Sequence, residues 1–89
     1  MVTEEKIQQT CKELLKKESD AYQGTMVSAD YVYKDYSLDK KVYVYIADED
    51  GSALLVTYRL DFMGEKVLGR TTYRAGQETV KGWFDYASM

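Results

Sequence analysis

The side chains able to do chemistry in this 89-residue chain are few, and the most versatile of them is missing. Histidine is absent. That removes the usual general base at neutral pH, the commonest metal ligand and every triad built on imidazole. Cys11 is the only cysteine, so neither an intrachain disulfide nor a cysteine-based zinc site can form. It sits within an apolar stripe, where a thiol packs as a small hydrophobe instead of serving as a nucleophile. The run Asp48-Glu49-Asp50-Gly51 has the acidity of a calcium loop. It lacks the alternating oxygen ligands and closing glutamate of an EF-hand and reads as a solvated hairpin tip. Asp30, Asp35 and Asp39 are scattered over a strand and its turn. Arg59, Arg70 and Arg74 are too sparse for a nucleic-acid surface and read as solvated strand positions. A net charge of −3 also opposes non-specific attraction to nucleic acid or anionic lipid. No metal site, cofactor site or catalytic constellation is legible, and the expectation is a protein that is not an enzyme.

The unusual feature is tyrosine, nine of them in a chain with a single tryptophan. Tyr31, Tyr33, Tyr36, Tyr43, Tyr45, Tyr58 and Tyr73 all fall in segments that read as strands. Tyrosine has strong β-propensity and packs across strands, each aromatic pair contributing a few tenths to about 1 kcal/mol. It is also enriched where proteins meet, because it offers rigid, amphipathic contact area. The expected partner-binding residues are therefore Tyr31, Tyr33, Tyr43, Tyr45, Tyr73 and Trp83, with a second protein, or a twin copy in a homodimer, as the partner. Trp83 and Phe84 read first as residues closing the core.

The elements that would position these side chains follow from periodicity. Thr3 is an acceptable N-cap, and Glu4 and Glu5 place negative charge in a first helical turn. Ile7, Cys11, Leu14 and Leu15 then form one apolar stripe of a helix ending near Asp20. From Thr25 the period becomes 2. Strands are expected over 26–36, 42–47, 53–62 and 67–74, joined by Ser37-Leu38-Asp39-Lys40, by the Asp50-Gly51 hairpin and by Met63-Gly64-Glu65. Val42, Val44 and Ile46 share one face with Leu54, Val56, Tyr58, Leu60 and Phe62, the natural bed for the helix. Tyr43 and Tyr45 face the other way. The tail supports two readings. Helical spacing groups Val80, Trp83, Phe84 and Ala87, whereas strand spacing groups Val80, Gly82, Phe84 and Tyr86. Gly82 with β-branched Thr79 and Val80 tips the balance to a fifth strand after a turn at Ala75-Gly76-Gln77.

Residues 1–89 are thus expected to form one α+β domain, an N-terminal amphipathic helix packed on one face of a four- to five-stranded antiparallel meander. Helix first and meander after is the element order of cystatin-like folds, which this chain resembles in architecture only. Cystatins carry a Gln-x-Val-x-Gly hairpin. Here Gln77, Val80 and Gly82 have one residue too many between the first two and lie near the C-terminus, so protease inhibition is not implied. No run approaches a membrane span, residues 1–20 are too charged for a signal peptide, and the cytoplasm is the default compartment. The function expected is a non-catalytic protein-binding module, an inhibitor, antagonist or adaptor, acting through a tyrosine-rich face or an edge strand. The alternative is a small apolar-ligand binder with a cavity lined by Val44, Ile46, Val56 and Leu60.

Overall fold

The apolar stripe of the first helix runs further than its aliphatic residues suggest. In the computed structural model, which describes residues 4–89, α1 spans Glu4–Ala21 and buries Cys11, Leu14 and also Glu18. The Thr3 cap expected from sequence lies outside the described residues. Four strands follow, β1 (Met26–Tyr36), β2 (Asp39–Asp48), β3 (Ser52–Leu60) and β4 (Val67–Gly76), and then a second helix, α2 (Gln77–Ala87). The strands pair antiparallel in the order β1-β2-β3-β4, as short connections require.

The turns are built from local chemistry. Ser37 adopts φ 71° at the β1–β2 turn. The Asp35 carboxylate steadies that turn by accepting the Ser37 N–H at 2.9 Å and the Lys40 ammonium at 2.8 Å. At the β2–β3 turn Gly51 takes φ 90°, a conformation that favours a residue without Cβ. Its N–H donates to the Asp48 carbonyl at 3.1 Å.

Register sorts the side chains onto two faces. Val42 pairs with Tyr58, Val44 with Val56 and Ile46 with Leu54, and these side chains lie beneath α1. Cys11, Leu14, Val42, Val44, Ile46, Val56, Tyr58 and Leu60 form one core cluster, each aliphatic member contributing about 1.5–3 kcal/mol by burial. Phe62 does not join it, because β3 ends at Leu60 and Phe62 is exposed.

The tail is helix, not the fifth strand expected, and the reason lies on the sheet's second face. Ala47 pairs with Ala53 and Ala53 with Ala75, so a row of alanines crosses β2, β3 and β4. Beside it lie Tyr45 and Leu55. A fifth strand would have left this apolar floor bare. As a helix the same residues bury Val80 and Phe84 against Tyr45, Ala47, Ala53 and Leu55, and Phe84 stacks on Tyr45 with ring centroids 5.4 Å apart. Tertiary burial outweighs the weak helix propensity of Thr79, Val80 and Gly82. The first turn of α2 is tied to the β2–β3 hairpin. The Gln77 N–H donates to the Gly51 carbonyl at 2.9 Å, and its side-chain amide to the Asp48 carbonyl at 2.6 Å.

Candidate functional site

The open part of the second face is the candidate site. α2 starts at the β2–β3 hairpin and ends where Lys34 of β1 donates to the Met89 carbonyl, so it crosses the sheet obliquely and leaves part of it uncovered. Between helix and sheet lies a groove of about 510 Å³. Tyr43 and Leu55 form its floor, and Tyr36, Tyr73, Trp83 and Tyr86 its sides. The floor is partly or fully buried, and desolvation raises the pKa of the Tyr43 hydroxyl. The walls are open, with Tyr36 51%, Tyr73 44%, Trp83 57% and Tyr86 68% exposed. Aromatic side chains this large rarely stand together in water without a use.

Cations adjoin the groove on the same face. Lys34 pairs across strands with Lys41, and Lys41 with Arg59, a row of like charges in register. Asp39 lies 3.7 Å from Lys41. The Arg59 side chain lies back over Gly69, where an added methyl group would sit 3.8 Å from Nη2 and 3.9 Å from Nε. Thr57 and Thr71, paired on β3 and β4, supply hydroxyls between the cations and the aromatics.

The six expected partner-binding residues do not form one surface. Tyr31 and Tyr33 lie on the α1 side, half-buried against the core cluster. The Tyr33 hydroxyl is buried without a hydrogen-bond partner, and desolvation raises its pKa. Tyr45 is buried beneath α2. Tyr43, Tyr73 and Trp83 do meet, in the groove. Trp83 is exposed and Phe84 alone of that pair closes the core. The face opposite the first helix is therefore partly covered by the chain's own C-terminal helix. Tyr36, Leu55 and Tyr86 were not among the expected site residues. Tyr86 stands three residues after Trp83, so helical spacing in the tail is the signal that points to it.

The cavity expected at Val44, Ile46, Val56 and Leu60 is filled, since all four are packed in the core under α1. The arginines expected to be solvated divide. Arg59 is exposed, whereas Arg70 and Arg74 point to the opposite face, Arg70 reaching α1 and Arg74 the Tyr22 that follows it. Arg70 donates to both carboxylate oxygens of Glu18, through Nε and Nη2, each at 2.8 Å, and the Tyr58 hydroxyl donates to the same carboxylate. Arg70 holds the Glu18 carboxyl below its ordinary pKa despite burial, while burial and the neighbouring carboxylate push Tyr58 up to about 12. Arg74 donates to the Tyr22 hydroxyl at 3.3 Å and to Ser52 Oγ at 3.0 Å. Asp48 is not solvated as its loop position suggested. It is buried and accepts from the Tyr22 hydroxyl, which holds its pKa down. Cys11 is buried, and desolvation raises its thiol pKa to about 11.

Among the described residues no group of three or more His, Cys, Asp or Glu side chains could hold a metal ion. No described helix is long and apolar enough to cross a membrane. No protein-family model, curated protein or solved structure matches the chain.

Proposed function

We propose that this chain is a protein-binding module that seats a partner segment in the aromatic groove between α2 and the sheet. The observation that carries the reading is the cluster of Tyr36, Tyr73, Trp83 and Tyr86, exposed around a half-buried floor. Rigid aromatics around a partly desolvated pocket are the usual anchors of a protein interface. The cation row gives the partner its chemistry. Like charges directly opposed across strands cost stability, and a carboxylate laid along Lys34, Lys41 and Arg59 offsets that cost. The segment that fits is an apolar anchor followed by an acidic residue. Such a module acts by occupancy, as an inhibitor, antagonist or adaptor, without a chemical step. The likeness to cystatins stays at the order of helix and meander, and protease inhibition forms no part of the reading.

A second reading rests on the groove's size. About 510 Å³ lies within the roughly 300–1,000 Å³ of small-molecule sites, and its lining is mostly aromatic.

A photo-cross-linking residue placed at Tyr86 in the native cell tests both. The expected result is a discrete protein adduct that disappears when Trp83→Ala is added and is absent when the probe replaces Glu13 on the outer face of α1. The same adducts from both positions, or none, sink the protein-binding reading. A bound small molecule detected by native mass spectrometry of protein from those cells, displaced in Trp83→Ala, supports the second reading instead.

A further inference from the structure

The sheet has two edges, and they are finished differently. Strands β1 and β4 are the outer members, and an outer strand presents backbone groups that another strand can pair with. On β1 the Asp30 carboxylate already accepts the Tyr31 N–H at 2.8 Å, and a register irregularity at Met26/Ser28 interrupts the strand. Lys34 and Asp35 add charge there. These are devices that natural sheets use to discourage edge pairing. β4 carries less of this protection, because its two arginines, Arg70 and Arg74, are tied back on the α1 side to Glu18 and Tyr22. Its register irregularity falls at the start, opposite Arg59/Leu60, and from Gly69 to Ala75 the strand has no acidic residue, lysine or proline.

The direction of the free groups on β4 follows from its ladder. Gln77 N–H donates to Gly51 O, and Asp61 N–H to Lys66 O, which makes Ser52–Gly76 and Leu60–Val67 non-hydrogen-bonded pairs. Residues 69, 71, 73 and 75 therefore direct their backbone groups to β3. Arg70, Thr72 and Arg74 direct theirs to the open edge.

We propose that this edge is the seam of a homodimer, β4 pairing antiparallel with β4 of a second copy about a two-fold axis through Thr71. Charge narrows the register to a centre on Thr71 or Tyr73, and the pairing of Tyr73 with Gly69 selects Thr71. Centring on Thr72 would oppose Arg70 to Arg74 of the second copy, and centring on Arg70 would oppose that arginine to its twin, both unfavourable. Centring on Thr71 places Arg70 opposite Thr72 of the second copy, where the two exchange ladder hydrogen bonds. It also places Tyr73 opposite Gly69 of the second copy. An aromatic ring over a strand glycine is a favourable cross-strand pair, and the guanidinium of Arg59 lies over that glycine, within reach of the incoming ring face. The exposed Tyr73 thus finds an apolar floor and a cation at once. Because the axis is perpendicular to the sheet, both α2 helices and both grooves lie on one side of a continuous eight-stranded sheet. The proposal stands on the edge and does not depend on what fills the groove.

Sedimentation velocity of the natural chain from about 1 to 200 µM, a range spanning the affinities of modest interfaces, is expected to show a reversible dimer. Thr72→Pro removes an N–H that no strand of its own chain uses, and it should weaken dimerisation by at least about tenfold. Trp83→Ala should leave dimerisation unchanged. In a Cys11→Ala background, Thr71→Cys should oxidise with diamide to a covalent dimer far faster than Thr72→Cys. The non-hydrogen-bonded Thr71 pair has Cα atoms roughly 4.5 Å apart, within disulfide reach. Circular dichroism checks that each variant folds. A chain that stays monomeric throughout, a Thr72→Pro variant that folds and dimerises normally, or faster cross-linking at residue 72 overturns the proposal. A monomer that accepts a foreign strand on β4 overturns it equally.

Discussion

Removing the Glu18 carboxylate is the sharpest perturbation available to the α1 face. Glu18 is 5% exposed and joins three elements, with α1 supplying the carboxylate, β3 the Tyr58 hydroxyl and β4 the Arg70 guanidinium. In Glu18→Ala the Tyr58 hydroxyl loses its acceptor while remaining buried, a cost of about 1–2 kcal/mol. The ion pair is worth less than its geometry suggests, because the Arg70 side chain is 44% exposed and rehydrates when released. That portion is about 0.5–1 kcal/mol. With the lost packing of the glutamate stem, the total is about 2–3 kcal/mol, or a fall in Tm of roughly 10–20 °C for a domain of this size.

The same carboxylate makes the loss depend on pH in a known direction. Its folded-state pKa is depressed below the ordinary 4.5, mainly by Arg70. Its contribution is therefore complete above that ordinary value and fades as pH falls through the folded value. Urea unfolding of wild type and Glu18→Ala, followed by circular dichroism at pH 7 and at pH 2.5–3, should show a gap that narrows on acidification. A double-mutant cycle with Arg70→Met should give a coupling above about 0.5 kcal/mol at pH 7 that shrinks at the lower pH. A gap below about 0.5 kcal/mol at pH 7, within ordinary surface-mutation scatter, or one of equal size at both pH values, refutes the reasoning.

Two further outcomes follow from the same structure. Tyr58 is raised to about 12 chiefly by burial, so its hydroxyl stays protonated in the fold while the unfolded chain begins to ionise near 10. Stability should fall between about pH 10 and 12, and denaturant titrations of Tyr58→Phe should show a shallower fall, an unchanged slope counting against the assignment. Gly82 lies in the interior of α2, with open space where a Cβ would stand. Gly82→Ala should add about 0.5–1 kcal/mol, read as a higher midpoint in thermal unfolding, and a lower midpoint would contradict the helix.

What was legible in the sequence was whatever a single element decides for itself. The strand over 26–36 was readable to the residue and the Asp50-Gly51 turn between β2 and β3 was readable as a hairpin, because alternation and turn residues are local signals. The alternation of β2 also placed Val42, Val44 and Ile46 opposite Tyr43 and Tyr45. What was missed depends on two elements meeting. Glu18 follows Leu14 by one helical turn and continues the stripe of Cys11 and Leu14, so a carboxylate in that row called for a cation elsewhere. Which cation depends on the register that sets Arg70 opposite Tyr58. The tail reads as strand because local propensity favours strand there, whereas the alanine row that receives α2 becomes a surface only once three strands are aligned.

That dependence also bears on why the groove exists. Val80 and Phe84, one helical turn apart, are the buried residues that seat α2 on its alanine floor, and neither lines the groove. A helix chosen only for stability would carry polar residues at 83 and 86, since leaving large aromatics in water gains nothing from burial. In α2, Trp83 and Tyr86 are aromatic and exposed, and across the groove Tyr36 and Tyr73 stand exposed on different strands. Local strand propensity accounts for Tyr36 and Tyr73 one at a time. It does not account for Trp83 and Tyr86, which lie in a helix. The proposed contact surface would account for all four, and under that proposal the aromatics serve binding and not the core. Trp83→Ala should therefore leave the unfolding midpoint nearly unchanged while abolishing occupancy of the groove, a separation that a core tryptophan could not give.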